Sequence, residues 1–206
     1  MDINLEKPVL DKFRKEIKFE SPLFKFDKVY NDCLANGFLH EYPNRKVSSI
    51  YFDDIFNSYL SDSLDGLLKR KKIRLRKYNE NILGQLEEKI KNNQLNDKKI
   101  KHLEIVPDFT SYDQLLKFVR TYYPNKNLIP ASFVSYLRIY LKNKKSNVRI
   151  TLDYNIETLD FQTNVYKELN DTFIIEVKCK LEAELPIFNL GSQTRFSKYC
   201  FSRQKD

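Results

Sequence analysis

The sequence predicts an α+β fold built on an antiparallel sheet or barrel, and three observations carry that expectation. Apolar and polar residues alternate with period two in segment after segment along the chain. Only two stretches carry apolar residues at helical spacing, and strands follow strands without strict strand-helix alternation. The length, 206 residues, suits one core of ordinary size, so residues 1–206 are expected to form a single domain.

In chain order, "FRKEIKF" (13–19) opens the sheet and "FDKVYNDCLANG" (26–37) is a helix closing on Gly37. "SSIYFDD" (48–54), "KKIRLRKY" (71–78) and "GQLEEKIK" (84–91) read as further strands. The polar run "KNNQLNDKKIK" (91–101) reads as a long loop or frayed connection. "SYDQLLKFVRTYY" (111–123) is the second helix, ending before Pro124. "FVSYLRIYL" (133–141), "NVRITLD" (147–153) and "FIIEVKCKL" (173–181) complete the sheet, and "SKYCFSRQKD" packs against it through Tyr199 and Phe201.

The alternation segregates two faces. One collects Arg14, Glu16 and Lys18; Lys72, Arg74 and Arg76; Gln85, Glu87 and Lys89; Tyr136 and Arg138; Arg149, Thr151 and Asp153; and Glu176 and Lys178. The other is apolar, broken by Lys15 and Glu88, which read as strand-end or bulge positions. A half-buried antiparallel sheet shows polar alternation without any function. The same arginine-rich composition on successive strands is harder to explain, because like charges facing each other across a sheet destabilise it. A polyanion would resolve the repulsion, most strongly if the sheet closed with these faces inward. Glu16, Glu87, Asp153 and Glu176 are then read either as ordinary salt-bridge partners or, together, as ligands of a divalent ion.

The rest of the composition narrows the chemistry. The 36 Lys and Arg against 28 Asp and Glu favour an anionic partner. Four glycines in the whole chain exclude a Gly-rich phosphate loop, so phosphate would be held by side chains. Cys33, Cys179 and Cys200 form neither a disulfide framework nor a zinc motif, which fits a reducing cytoplasm; the first two read as small core residues. No apolar run is long enough for a membrane span, so work at a membrane would need a membrane-protein partner. His40 and His102 have unremarkable contexts, and no nucleophilic triad or RNA-binding signature is present, so no nucleic acid is expected.

The ordered segments "RKEIKF", "SIYFDD", "KIRLRKY", "LEEK", "SYLRIY", "VRITLD", "IIEVK" and "RFSKYC" resemble the catalytic domain of the vacuolar transporter chaperone (VTC) polyphosphate polymerases, within the triphosphate tunnel metalloenzyme or CYTH superfamily. The resemblance covers nearly the whole chain. It implies an eight-stranded antiparallel barrel with flanking helices, enclosing a basic tunnel. It implies that Lys18, Arg74, Arg76, Lys89, Arg138 and Arg149 act on the phosphates, with Arg14, Lys72, Tyr136, Lys178, Ser197 and Lys198 as substrate contacts, while Lys98 or Lys99 matches one further basic position. Glu176 is the implied metal ligand, for Mn²⁺ or Mg²⁺, with Glu16 as a second. The implied reaction transfers the γ-phosphate of ATP to phosphate, pyrophosphate or a growing polyphosphate chain. The SPX domain and membrane helices of eukaryotic members are absent, so the chain resembles the short stand-alone prokaryotic form. At the first strand, where hydrolytic members carry ExExK, this chain has Arg14-Lys15-Glu16-Ile17-Lys18. The lost carboxylate favours the polymerase, while the surviving Glu16 keeps a triphosphatase acting on inorganic, nucleoside or thiamine triphosphate as the alternative; a non-catalytic polyphosphate-binding module is a third reading.

Overall fold

The computed structural model describes residues 14–92, 95–180 and 188–204. Phe13, Leu181, residues 93–94 and the side chain of Arg14, all read above as parts of strands or of the polar run, lie outside the described residues.

The chain runs through β1 (Arg14–Pro22), a 3-10 turn, α1 (Phe26–Ala35), β2 (Leu39–Asp54), α2 (Ser58–Leu64), β3 (Lys69–Tyr78), β4 (Gly84–Asn92) and β5 (Leu95–Leu103). It continues through α3 (Tyr112–Tyr122), β6 (Leu128–Asn143), β7 (Val148–Asp160), β8 (Tyr166–Leu169), β9 (Thr172–Lys180), β10 (Ser192–Thr194) and α4 (Lys198–Arg203). The strands form one antiparallel sheet in the order β10-β1-β9-β7-β6-β2-β3-β4-β5, with β8 beside β7.

The α+β class is as expected, but the barrel differs from the expectation. The sheet has ten strands rather than eight, and among the described residues its hydrogen-bonded path is open, ending at β10 and β5. It is nevertheless strongly curled. Side chains of β1 and β4, which lie six positions apart in the strand order, meet where Lys89 Nζ comes within 3.6 Å of Glu16 Oε2. The charged face is therefore concave.

The polar run 91–101 is not a long loop. Its second half is β5, which pairs with β4 from Gly84↔Leu103 to Asn92↔Leu95. Propensity hid this strand, because Asn, Asp and Lys are depleted in sheets and tolerated on an edge. Glu88 and Lys15 need no bulge, since the register runs unbroken through both. Lys15 lies one residue from the start of β1. Glu88 points to the convex face, pairs there with Lys71, and accepts a 3.1 Å hydrogen bond from Tyr123 Oη.

The convex face carries most of the core. Val29 and Cys33 of α1 pack on Leu141, Ile150, Leu152, Ile175 and Val177, and burial pushes the Cys33 thiol up to about 12. Leu115 and Val119 of α3 cover Ile50, Phe52, Ile73 and Leu75. Each helix has local reasons to stop or start: α1 ends at Gly37, whose φ of 78° is costly for any residue with a Cβ, and Ser111 caps α3. The short α2 carries no apolar period and was not foreseen. It is held from outside, as Asp53 accepts the backbone N–H of Tyr59 and Leu60, and Asp54 that of Ser58. On the concave side α4 closes a third cluster, in which Tyr199 stacks on Tyr51 at 4.9 Å and donates a hydrogen bond to Asp53. No helix among the described residues is long and apolar enough to cross a membrane.

Candidate active site

Residues paired across antiparallel strands share a face, so the register determines which side chains line the concavity. On one wall, β6, β7, β9 and β1 carry the row Tyr140, Thr151, Glu176, Lys18 and, beside it, the row Lys142, Arg149, Lys178, Glu16. On the other wall, β2, β3 and β4 carry Tyr51, Arg74, Glu87 and Ser49, Arg76, Gln85. Arg138, opposite Asp153, stands at the floor. Lys18, Lys72, Lys89, Lys178 and Lys198 thus share one concavity with Arg74, Arg76 and Arg138.

The arginines are held rigidly. Arg74 donates from Nε to Glu87 at 2.6 Å and from a terminal nitrogen to Tyr51 Oη at 3.2 Å. Arg76, almost fully buried, reaches Tyr136 Oη at 3.3 Å and lies 3.7 Å from Glu87. Arg138 forms a two-pronged pair with Asp153 at 2.5 and 2.6 Å, and Lys198 Nζ reaches the same carboxylate at 2.5 Å. Burial by itself would raise the Glu87 and Asp153 carboxyls, but these cations outweigh it and hold both below the usual carboxylate range. Glu87 and Asp153 are therefore engaged as ion-pair partners of the arginines, the salt-bridge alternative of the two readings given above.

The lysines are held more loosely. Lys178 Nζ lies 2.6 Å from Glu176, and Lys18 Nζ sits 3.8 Å from both Glu176 and Glu16. Glu16 is in turn shared with Lys89 at 3.6 Å and Lys178 at 4.0 Å. Lys72 has no carboxylate partner among the described residues and donates to Ser197 Oγ at 2.9 Å. Burial holds its ammonium below the usual lysine value, and the charges of Lys18 and Lys89 push the same way.

Other expected residues take more particular places. Ser197 caps α4, accepting from the Cys200 N–H, as well as receiving Lys72. Arg149 lies at the rim and reaches Glu41 at 2.8 Å. Between Lys98 and Lys99 the register decides: Lys98 stands opposite Lys89 on the concave face and reaches Glu87 at 3.0 Å, while Lys99 pairs with Glu88 on the convex side. Two residues were not singled out from sequence. Tyr51 joins the site through Arg74, and Thr151 Oγ1, across the strand from Glu176, is buried without a hydrogen-bond partner. Neither carries a chemical signature of its own in a period-2 strand.

Among the described residues no group of three or more His, Cys, Asp or Glu side chains could enclose a metal ion. Glu16 and Glu176 still fit a divalent ion that completes its shell with phosphate oxygens and water, the usual state of Mg²⁺ beside nucleotides. They share Lys18 and Lys178, and Thr151 stands opposite Glu176 in the register.

Beside this cluster lies a cavity of about 490 Å³ between the β3–β4 turn and the end of β5, walled by residues that include Arg45, Tyr78, Gln85 and His102.

The model of the VTC domain family matches residues 10–205. No curated protein matches the chain. Among solved structures, a candidate adenylate cyclase from Vibrio parahaemolyticus is 14% identical, with a TM-score of 0.50 and coverage of 84% of this chain and 78% of that one. A candidate adenylate cyclase from Bacillus halodurans is 12% identical, with a TM-score of 0.49 and coverage of 81% and 80%. The Hippeastrum protein HpAC1, described as having a dominant triphosphatase activity, is 14% identical, with a TM-score of 0.43 and coverage of 79% and 78%. At such identity the Vibrio likeness speaks to the fold alone.

Proposed function

Since the chain belongs to the VTC domain family, within the triphosphate tunnel or CYTH-like group, we propose that it is a polyphosphate polymerase, transferring the γ-phosphoryl group of ATP to phosphate, pyrophosphate or a growing polyphosphate chain. One observation carries this reading: the concave face gathers Lys18, Lys72, Lys89 and Lys178 around Glu16 and Glu176, with Lys72 half-buried and, among the described residues, paired with no carboxylate. Such a surface lowers its energy by taking up a polyanion.

In the transfer, the bond from the γ-phosphorus to the β–γ bridging oxygen breaks as one from a terminal acceptor oxygen forms, and ADP leaves. The acceptor is already anionic, so no general base is needed. Arg74, Arg76 and Arg138, fixed by Glu87 and Asp153, present guanidinium groups that spread the charge of the transferring group without reorganising. Lys18, Lys72, Lys89, Lys178 and Lys198 neutralise the chain on either side, Arg149 meets it at the rim, and Arg14 is a further substrate contact. Tyr136, held through Arg76, and Ser197 offer hydroxyl contacts. Mn²⁺ or Mg²⁺, held by Glu176 with Glu16 as second ligand, would supply Lewis-acid neutralisation of the phosphate oxygens.

The test is ³¹P NMR of the protein incubated with ATP, Mn²⁺ and a trace of pyrophosphate. Growth of internal-phosphate signal together with ADP is expected; no turnover would overturn the enzyme reading. A second reading, a triphosphatase, rests on the survival of Glu16 next to Glu176, since two carboxylates on one ion can also serve water activation. Orthophosphate without chain growth would establish it in place of the polymerase.

A further inference from the structure

The cavity beside the cation cluster has a lining unlike the cluster itself. Its walls include Tyr78, Asn81, Leu83, Gln85 and His102, a mixture of one aromatic ring, amide and imidazole hydrogen-bonding groups and an aliphatic side chain. Its volume of about 490 Å³ is in the range of small-molecule sites, which combine apolar walls with a few convergent polar groups. A bare phosphate chain would gain nothing from Leu83 or from the face of Tyr78.

Arg45 joins the two regions. Its guanidinium lies over the rings of Tyr42, Tyr78 and Tyr140, at 4.8, 5.3 and 5.5 Å, and it has no ion pair among the described residues. It pairs in register with Arg138, which sets it beside the arginines of the phosphate site. Gln85, on the cavity wall, stands directly across the strand from Arg76. The cavity thus adjoins the arginine end of the phosphate site.

We propose that this cavity takes the nucleoside part of a nucleoside triphosphate donor. The base stacks against Tyr78 and hydrogen-bonds with Gln85, Asn81 and His102, and Arg45 meets the phosphate nearest the ribose. The proposal rests on the polyphosphate polymerase reading for its substrate, and adds the residues that would distinguish ATP from inorganic polyphosphate.

The test compares equilibrium binding of ATP and of inorganic tripolyphosphate, which has the same number of phosphates and no nucleoside. The unaltered protein should bind the two differently; equal affinity would overturn the proposal without any variant being made. Asn81→Ala combined with His102→Ala should weaken ATP binding on the order of tenfold, the effect of losing two ordinary hydrogen bonds, while tripolyphosphate binding stays within about twofold, which also reports an intact fold. Equal loss for both ligands, or none for ATP, would overturn it. Failure of the unaltered protein to bind tripolyphosphate would instead count against the phosphate-site reading itself.

Discussion

The two halves of the concave face hold their cations in different ways. Arg76 and Arg138 are buried and Arg74 is half-buried, and all three are tied to Glu87 or Asp153, each carboxylate being 2% exposed or less. Lys18, Lys89 and Lys178 have side chains that are 26, 43 and 40% exposed and share Glu16 and Glu176 at distances up to 4.0 Å. An arginine fork locked to a buried carboxylate is a fixed electrostatic element; a flexible lysine that shares its partner can exchange that partner for a phosphate. On the proposed polymerase reading, the arginine side is suited to the atoms that react, and the lysine side to a chain that must slide.

That contrast can be broken most directly at Arg74. Arg74→Ala should lower turnover by roughly a hundred- to a thousandfold, as expected for loss of one preorganised charge, whereas Lys89→Ala should chiefly weaken polyphosphate binding. Steady-state kinetics with ATP checks both; equal losses in the catalytic constant would erase the distinction between the two sides.

Next in size is a stability effect. Asp153→Ala leaves Arg138 and Lys198 without their carboxylate, and breaking a buried pair of this kind costs about 3–5 kcal/mol. Urea unfolding should show that loss, and added tripolyphosphate should recover part of it by supplying a replacement anion. Glu16→Gln, at a half-exposed site, should lose no more than about 1 kcal/mol. Metal titration separates the carboxylates further: Glu176→Gln should abolish Mn²⁺ activation, while unchanged activation would remove Glu176 from the metal site.

Two titrations sharpen the comparison with smaller effects. Glu87 and Asp153 have folded-state values below their ordinary 4.5 and 3.8, so their stabilisation is complete above those values and is lost as pH falls below them. Glu87→Gln should flatten the acid limb of the melting curve. Tyr51 reports on the arginine side in the alkaline range: burial raises its phenol, but Arg74, Arg76 and Lys72 outweigh burial and bring it down to about 8. Because its ordinary value is 10.0, this contribution is complete above 10.0 and is lost as pH falls through about 8. Ultraviolet tyrosinate absorbance should show a titration near 8 that Tyr51→Phe abolishes and Arg74→Ala moves upward.

Much of the site was legible because strand periodicity states which residues share a face. Lys18, Arg74, Arg76, Arg138, Lys178 and Glu176 stand on alternate positions of strands whose apolar partners meet helices α1 and α3, and the structure brings them together. What periodicity leaves open is pairing. It gave no means of telling Glu87 and Asp153, which clamp arginines, from Glu16 and Glu176, whose ion pairs among the described residues are with lysines. Tyr51 and Thr151 were passed over because a tyrosine or threonine in a strand is ordinary, and only the register sets one beside Arg74 and the other beside Glu176.

The sequence by itself determined the class of the fold, its segregated faces and the positive character of one of them, since these follow from local alternation and composition. Tertiary structure decided the rest. β5 forms although its residues disfavour strands, because β4 supplies every partner along its length. α2 forms because Asp53 and Asp54 of the preceding strand accept its free N–H groups. The curl that brings Glu16 of β1 to Lys89 of β4, the choice of Lys98 over Lys99, and the cavity at Arg45 all depend on contacts between residues far apart in the chain, and no local pattern contains that information.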